Sequence, residues 1–404
     1  MKVAAIIAEY NPFHSGHKYQ IDKVRELLGP DTAIIAIMSG NYTQRGELAI
    51  ADKTVRARAA IDCGVNLVLE IPFPFSMSSA EFYAGAGVSI ANSSGVVDYL
   101  VFGSECGNVE LLNSIAKNML SEQFSSALEK RVNSEAYANE GYPLSIEFVY
   151  NELFGNPGDV LSSPNNTLSL EYVKALIRSD SQIKPMTIKR VGAGYSDAYT
   201  DKSRFQSATA LRNILLSNRN SAAEYMPPLS FEAFSSAFNT GLAPSKAELL
   251  DSAVISHLRL NPPCNECKIH DATGGLYNRL YDASLKVTAI KSLCEAVKTK
   301  KYTTARIMRA IWYSFLGVTS SEIRRLPAYT QVLGMDDVGR ALLRRISKVS
   351  TIPVITKPSS TNGLCEAAAL QKERARIADS VYMLSLGDNV RQDFAMAFVP
   401  YVKK

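Results

Sequence analysis

The chain begins with a predicted strand that runs directly into a turn containing two histidines. The apolar run Val3–Ala8 is short and rich in alanine and isoleucine, and a polar segment, residues 9–13, follows it. Such a run is typical of a strand that is buried on both faces of a parallel sheet. His14-Ser15-Gly16-His17 comes next, ahead of a helical pattern over Tyr19–Leu28. Open α/β sheets bind ligands at the carboxyl ends of their strands, so this turn is a predicted ligand site.

The residue types in this turn suit phosphate chemistry. His17 is predicted to lie at a helix start, where free N–H groups and the helix dipole attract anions. Gly16 allows the backbone to approach a ligand closely. Both imidazoles can donate to phosphate oxygens that gain charge during a reaction at an α-phosphate. The chain has only four histidines, and two of them fall in this turn, which favours a functional site over a solvated loop.

Further apolar runs alternate with helical patterns through the first half of the chain. The predicted strands are Thr32–Met38, Leu67–Ile71, Tyr99–Phe102 and Met186–Val191. This alternation predicts an α/β fold with a Rossmann-like, doubly wound parallel sheet. After Pro227-Pro228 the patterns are mostly helical, with one isolated strand predicted at 353–357. We therefore expect an α/β domain over residues 1–226 and a mainly α-helical domain over residues 227–404.

Composition narrows the class of protein. The chain is 46% hydrophobic and 21% charged, which is typical of a soluble globular protein. Its six cysteines are scattered and form no disulfide framework, so a cytoplasmic location is expected. No apolar run reaches membrane-spanning length, and neither a membrane nor a protein partner is predicted. A net charge of +5 permits an RNA partner without requiring one.

A second polar loop follows the second predicted strand. Met38–Lys53 carries amide and cationic side chains that could hold an anionic substrate, against the alternative of a solvated surface loop. The residues of interest are Asn41, Gln44, Arg45 and Lys53.

Other polar groups follow later strands or begin helices. Gly103 ends the fourth strand and could let adenine or ribose pack against its backbone. Arg190 could hold phosphate or ribose oxygens. Ser207, Thr209 and Arg212 form an S-x-T-x-x-R helix start that suits the β- and γ-phosphates of a nucleotide. The alternative for each is a plain turn or helix cap.

Basic residues concentrate in the second half, with few acids between residues 298 and 348. Such a concentration on helices suits RNA, although a solvated basic face is the commoner explanation of charge runs. The predicted RNA contacts are Lys298, Lys300, Lys301, Tyr302 (as a stacking platform), Arg306, Arg309, Arg324 and Arg325. Cys264-x-x-Cys267-x-x-His270 has some metal-ligand spacing but lacks a second pair, so no metal site is predicted.

Several of these segments together resemble the tRNA(Met) cytidine acetate ligase family, within the H-x-G-H nucleotidyltransferase superfamily. The resemblance is carried by EYNPFHSGHKYQ (9–20), by S-G-N-x-x-Q-R-G-E-x-A-I-x-D-K (39–53), by 103–105, by 298–309 and by PAYTQVLG (327–334). The chain departs from the pattern at Leu48, at Thr54-Val55 and at Ser196, where proline, an aromatic pair and histidine are expected.

The resemblance implies that ATP activates acetate as acetyl-adenylate and that the acetyl group passes to the wobble cytidine of elongator tRNA(Met). It implies that His14 and His17 are catalytic, that Mg²⁺ accompanies ATP, and that residues 41–53 handle acetate. Asn165, preferred over Asn166, is expected to contact ATP. The full set of implied ATP contacts is Ile7, Ala8, Glu9, Tyr10, Asn11, Pro12, Phe13, Ser15, Gly16, Gln20, Gly103, Asn165, Arg190, Ser207, Thr209 and Arg212.

Two other functions share parts of this pattern. A small-molecule adenylyltransferase would also carry H-x-G-H and S-x-T-x-x-R, but it would not explain the basic helical half. An RNA-binding protein with a regulatory nucleotide site would explain the basic half, but the intact His14, His17 and Arg190 argue against it.

Overall fold

The structure is a computed structural model that describes residues 1–134, 141–190, 206–264, 268–357, 363–387 and 399–403. Within these residues eight strands form one sheet in the order β5-β4-β1-β2-β3-β6-β7, with β8 also paired to β6. The strands are β1 Val3–Ala8, β2 Ala33–Ser39, β3 Leu67–Ile71, β4 Tyr99–Ser104, β5 Lys184–Lys189, β6 Thr330–Met335, β7 Val354–Ile355 and β8 Tyr401–Val402. The predicted α/β class with a mostly parallel sheet is therefore confirmed.

Helices connect and cover these strands. In the described residues they are α1 Ser15–Leu28, α2 Lys53–Asp62, α3 Ala80–Ser94, α4 Val109–Met119, α5 Glu122–Val132, α6 Tyr142–Phe154, α7 Pro164–Arg178, α8 Ala208–Ser217, α9 Pro228–Thr240, α10 Asp251–Leu260, α11 Leu276–Ser284, α12 Ile290–Val297, α13 Thr304–Leu316, α14 Ser320–Ile323, α15 Asp337–Val349 and α16 Glu366–Leu384. Short 3₁₀ segments occupy Phe75–Met77, Gly158–Val160, Arg219–Glu224 and Ala247–Leu250. None of the helices in the described part of the chain combines the length and apolar character needed to cross a lipid bilayer.

The first half of the sheet follows the prediction closely. β1 pairs with β2 in parallel from Val3↔Ala33 to Ala8↔Met38, and β4 pairs with β5 in parallel. β1 and β2 are buried on both faces, as their apolar runs indicated. The predicted bounds of β3 match the structure, whereas α1 begins at Ser15 rather than Tyr19 because His14 caps it.

The second half of the chain contributes strands to the same sheet. β6 pairs antiparallel with β3, and β7 and β8 both pair with β6. The sequence prediction missed β6 and β8, and it treated the β7 segment as isolated. β6 carries Gln331 and Gly334 and is only six residues long, so its pattern is weak even though every residue in it is buried. The sheet is therefore built from both sides of the expected boundary at residues 226 and 227.

Three buried clusters organise the packing. One lies on the sheet face covered by α3, α4, α7 and α15, and a second lies on the face covered by α1, α2, α8 and α9. The third joins helices α10–α13 and α16 to the loops at the carboxyl ends of β2 and β3, through Tyr42, Phe73 and Met77. Tyr42 donates its hydroxyl to Ala378 O at 2.8 Å, and Tyr382 donates to Ala49 O at 2.8 Å. The helical part thus holds the loop that follows β2.

Candidate active site

The two histidines of the first turn fix each other's orientation. His14 is the N-cap of α1, and its Nδ1 accepts from Gly16 N at 3.0 Å. The Nδ1 of His17 accepts from His14 N at 3.2 Å, and the two rings stack with centroids 3.8 Å apart. A neutral imidazole that accepts at Nδ1 carries its proton at Nε2. Both rings are therefore arranged as Nε2–H donors.

Both imidazoles are neutral near pH 7. Burial lowers the pKa of His14 to about 4, and the nearby charge of Arg190 acts in the same direction. Burial, His14 and Arg190 together hold the pKa of His17 well below its usual value. The two histidines are therefore uncharged donors close to the cationic side chain of Arg190.

The start of α1 does not offer the free N–H groups that the sequence predicted. Ser15 N donates to Tyr225 O at 3.0 Å, Gly16 N donates to the His14 ring, and His17 N donates to His14 O at 2.9 Å. Anion binding at this turn must therefore use the imidazoles. Backbone N–H groups without a partner among the described residues are found instead at the start of α8.

α8 begins with donors that have no partner among the described residues. Ser207 caps the helix by accepting from Ala210 N at 3.1 Å, and no acceptor is found there for the N–H groups of Ala208 and Thr209. Arg212 donates to Asn11 O at 3.1 Å, which brings this helix to the first turn. Arg212 also donates to Thr209 Oγ1 at 3.2 Å and pairs with Glu47 at 2.9 Å. The S-x-T-x-x-R segment and the histidine turn thus form one site.

Gly103 and Arg190 adjoin the histidines from β4 and β5. A Cβ built on Gly103 would lie 3.2 Å from Cγ of Arg190, so the arginine side chain crosses the backbone of β4 at this glycine. The exposed Arg190 is also close enough to both histidines to lower their pKa values. The glycine-rich turn that follows, including Ser196, lies outside the described residues.

The carboxylate of Glu105 fixes the two asparagines in the first turn of α7. Glu105 accepts from Asn165 N, from Asn165 Nδ2 at 2.6 Å and from Asn166 N at 2.7 Å. Asn166 is buried, and its Oδ1 accepts from Glu105 N and from Cys106 N. The amide of Asn166 is therefore part of the scaffold, and the half-buried Asn165 keeps an amide oxygen that can face a ligand.

The remaining residues of the first turn divide into scaffold and surface. Tyr10 and Phe13 are buried, and their rings lie 4.9 and 5.4 Å from that of His17. Their side chains support the histidine, and their predicted contact with ATP, which falls to their backbone atoms, stays a prediction. Pro12 is also buried, whereas the partly exposed members of the predicted set are Ile7, Ala8, Glu9, Ser15, Gly16 and Gln20.

The loop after β2 is held by buried charges. Lys53 Nζ lies 2.7 Å from Glu70 Oε1 and 2.6 Å from Asp379 Oδ2, and the three side chains are 4%, 4% and 10% exposed. Asn41 donates to Asp52 and Asp379 and accepts from Lys53 N. Both side chains are buried and already paired, so these contacts favour a structural role, and the prediction that Asn41 and Lys53 hold the substrate stays a prediction.

Gln44 and Arg45 remain at the surface of this loop. Gln44 is half-buried, and its N–H donates at 2.8 Å to Oε1 of Glu9, a carboxyl group whose pKa is raised by burial. Arg45 is exposed. Of the four predicted substrate-loop residues, these two stay available to an anion.

Sequence reasoning missed the role of Arg56. This arginine is fully buried, and its guanidinium donates to the carbonyl oxygens of Glu9, Ser39, Gly40 and Ala51. It joins the ends of β1 and β2 to the start of α2, so it sets the distance between the histidine turn and the loop after β2. A cation flanked by valine and alanines in the segment TVRARAAID was the available signal, because such a position faces a core.

Several predicted RNA contacts are part of the core. Tyr302 is buried and donates its hydroxyl to Gly274 O, so its faces are not available for base stacking. Arg309 is 7% exposed and pairs with Asp271. The half-buried Arg306 donates to Asp271 O and Thr273 O. These positions correct the prediction for Tyr302 and Arg309. The other members of the set stay partly or fully exposed, namely Lys298, Lys300, Lys301, Arg324 and Arg325.

The cysteine and histidine segment shows no metal centre in the part that is described. Cys264 is exposed, His270 Nδ1 lies 3.2 Å from Ser320 Oγ, and Cys267 lies outside the described residues. No group of three or more His, Cys, Asp or Glu side chains that could hold a metal occurs among the described residues.

Comparisons with known proteins identify the family to which the chain is similar. A family described as HIGH Nucleotidyl Transferase matches residues 1–394. A tRNA(Met) cytidine acetate ligase of Halothermothrix orenii is 34% identical over 377 residues, which cover 88% of this chain and 87% of the relative. The Clostridium acetobutylicum protein of the same name is 36% identical, with 90% of this chain and 92% of the relative covered.

A solved structure gives the same result. Thermotoga maritima TmcAL bound with alpha-thio ATP superimposes with a TM-score of 0.89 at 30% identity, covering 100% of this chain and 99% of that chain. The apo form of the same protein gives a TM-score of 0.88. The chain therefore belongs to the tRNA(Met) cytidine acetate ligase family of HIGH nucleotidyl transferases.

Proposed function

We propose that this protein is an ATP-dependent ligase that activates acetate as acetyl-adenylate and transfers the acetyl group to the wobble cytidine of elongator tRNA(Met). The observation that carries the proposal is the pair of neutral Nε2–H donors of His14 and His17 beside Arg190. Family membership supplies the substrates, because the relatives are tRNA(Met) cytidine acetate ligases.

In the first step a carboxylate oxygen of acetate attacks the α-phosphorus of ATP. A new P–O bond forms as the bond from the α-phosphorus to the bridging oxygen breaks, and pyrophosphate leaves with the electron pair. Negative charge grows on the phosphate oxygens, and His14 and His17 can donate hydrogen bonds to these oxygens through Nε2–H. Arg190 and the α8 start, with Arg212, offer the remaining positive charge and N–H donors.

In the second step the exocyclic amine of the cytidine attacks the acetyl carbonyl carbon. The C–N bond forms, the C–O bond to AMP breaks, and the amine nitrogen gives up one proton to solvent. The products are N4-acetylcytidine and AMP. The base must leave its stack to reach the adenylate, so the anticodon loop is expected to be splayed on the protein surface.

Mg²⁺ enters this scheme only with the nucleotide. We assign Mg²⁺ to the phosphates of ATP as a counter-ion, because proteins usually hold this ion through one or two carboxylates and substrate phosphates rather than in an all-protein cage. The exposed cations Lys298, Lys300, Arg324 and Arg325 are the proposed tRNA contacts from the predicted set.

The test uses His14→Asn, because asparagine is a good N-cap and so preserves the start of α1. Acetate-dependent exchange of pyrophosphate into ATP should fall about 10²–10³-fold, the usual effect of losing one donor to a developing oxyanion. Binding of transcribed elongator tRNA(Met) should stay unchanged. A wild-type protein that shows no acetate-dependent exchange and no acetylation of that tRNA would refute the proposed function, whereas AMP transfer to a phosphorylated cofactor precursor would identify an adenylyltransferase.

A further inference from the structure

α15 lies at the opposite edge of the sheet from the ATP site. Asn66, directly before β3, accepts from Asp336 N at 3.0 Å and donates to the Asp336 side chain at 2.8 Å. Beyond the other end of α15, Thr351 N donates to Ser93 O at 3.0 Å, near the end of α3. Both contacts lie at the amino ends of the parallel strands, whereas Gly103 and Arg190 lie at their carboxyl ends. A six-residue strand at about 3.3 Å per residue puts these edges about 20 Å apart.

α15 is rigidly held, and its outer face is basic. Gly339 packs so closely on Asn66 O that any side chain there would collide with it, and Leu342 and Ile346 are fully buried under the helix. The exposed cations of the helix are Arg340, Arg344, Arg345 and Lys348. Only Arg340 has an ion pair with a described residue, the exposed Asp337 at 3.2 Å. Pairs of this exposure contribute little, so the positive charge of the helix is available to a partner.

A groove runs between α15 and the segment that leads into β7. Its volume is about 650 Å³, and its described lining contains Arg340, Leu343, Arg344, Ser347, Ser350, Thr351, Ile352, Pro353, Val354 and Thr356. Arg340, Arg344 and Ser347 stand at i, i+4 and i+7, so they share one helix face. The polar side chains of this described lining are guanidinium groups and hydroxyls, with no carboxylate among them. Such a lining complements a phosphodiester backbone, whose oxygens accept from both kinds of group.

We propose that the groove of Arg340 and Arg344 binds the sugar-phosphate backbone of the substrate tRNA, away from the base that is modified. This inference rests on the proposed function, since it takes the same tRNA as the occupant. Apolar groups such as Pro353 and Val354 suit the ribose faces between phosphates, and the described lining has no aromatic ring on which a base could stack, which fits recognition of shape and charge. A larger groove of about 780 Å³ lies beside it, because Ser93 lines the larger groove and bonds to Thr351. Its described lining includes Arg178, Arg324 and Arg325, and also Glu81, Glu171 and Asp180.

The test compares Arg340→Ala/Arg344→Ala with Lys117→Ala/Lys130→Ala, which removes two exposed cations from α4 and α5. Affinity for transcribed elongator tRNA(Met) is measured from 50 to 300 mM KCl. The arginine variant should bind about tenfold or more weakly at the lowest salt, and the slope of log K against log salt should become shallower by roughly 1–2. The lysine variant should bind like the wild type.

The isolated anticodon stem-loop gives the second arm of the test. The anticodon stem and loop together span about the 20 Å that separates the groove from the ATP site, so the stem-loop tells which part of the tRNA lies in the groove: weaker binding to the arginine variant places the anticodon stem there, and unchanged binding places the body of the tRNA there. Equal affinity of both proteins for full-length tRNA would overturn the inference. Wild-type acetylation of the tRNA, measured in parallel, separates these results from failure of the proposed function.

Discussion

Replacing Lys53 by methionine should destabilise the protein rather than remove a substrate contact. Burial alone would lower the pKa of Lys53, but Asp379 and Glu70 outweigh it, so the amine is charged in the folded state. Methionine keeps the volume of the side chain and leaves two carboxyl groups buried without a cation. Breaking a buried pair in this way typically costs about 3–5 kcal/mol.

The carboxyl groups set the pH dependence of this loss. Burial already raises the pKa of Glu70 to about 7 in the wild type, although Lys53 acts in the opposite direction. Without Lys53, burial and mutual repulsion should raise it further, so Glu70 and Asp379 should together keep a proton that the unfolded chain releases.

The sign of the pH dependence follows from the same proton. A carboxyl group whose folded pKa lies above its unfolded value contributes stability at low pH and loses it as pH rises. Because Glu70 has a pKa of about 7 in the wild type, the wild type shares this loss below pH 7, and the destabilisation of Lys53→Met should grow mainly above pH 7, by about 1.4 kcal/mol between pH 6 and pH 8.

Urea unfolding at pH 6, 7 and 8, followed by tryptophan fluorescence, measures this directly. Trp312 is the single tryptophan, is fully buried, and has its ring centroid 6.0 Å from that of Tyr42 in the loop after β2. Arg45→Met is the matched control, because Arg45 belongs to the same loop but is exposed, and it should change stability by at most about 0.5 kcal/mol. A loss below about 1 kcal/mol in Lys53→Met, combined with a lost response to acetate, would refute this reasoning and return Lys53 to the substrate site.

Two further predictions concern the site itself. Asn165→Ala should raise the KM for ATP with little change in the thermal midpoint. Asn166→Ala should lower the thermal midpoint by several degrees, because two backbone N–H groups lose their acceptor. The reverse pattern would exchange the roles of the two asparagines. Burial lowers the pKa of folded His14 to about 4, so the unfolded chain takes up a proton before the folded protein does as pH falls below about 6.5. Between these two pH values, this group should lower the free energy of unfolding of the wild type by up to about 1.4 kcal/mol per pH unit. Urea midpoints of His14→Asn should show a correspondingly shallower loss between pH 6.5 and 5, and parallel curves for the two proteins would contradict the assignment.

The parts of the fold that the sequence predicted are those with local signals. The apolar runs of β1 and β3 are long enough and clean enough to define the strands, whereas the cap at His14 and the start of α1 at Ser15 were not predicted. β6 depends on a partner strand far away in sequence, and its glycine and glutamine interrupt the apolar pattern that would identify it as a strand.

The sequence does not show which polar residues face a ligand and which are part of the protein scaffold. Lys53 is paired with Asp379, 326 residues further along the chain, and nothing near Lys53 reveals that partner. Tyr302 lies in a basic segment, but helix packing decides that its ring is buried. Charge and residue type suggest a ligand in both cases, and only the tertiary contacts show that each position is already occupied by protein.

The pairing of β3 with β6 also has a consequence for biosynthesis. β3 ends at Ile71 and β6 begins at Thr330, so about 260 residues must be translated before the partner strand exists. At about 5–20 residues per second, the nascent chain exposes the apolar edge Leu67, Val68 and Leu69 for roughly 13–50 s. An unpaired apolar edge is a template for association between chains. Newly made molecules therefore depend on chaperones or on low local concentration until the second half of the chain closes the sheet.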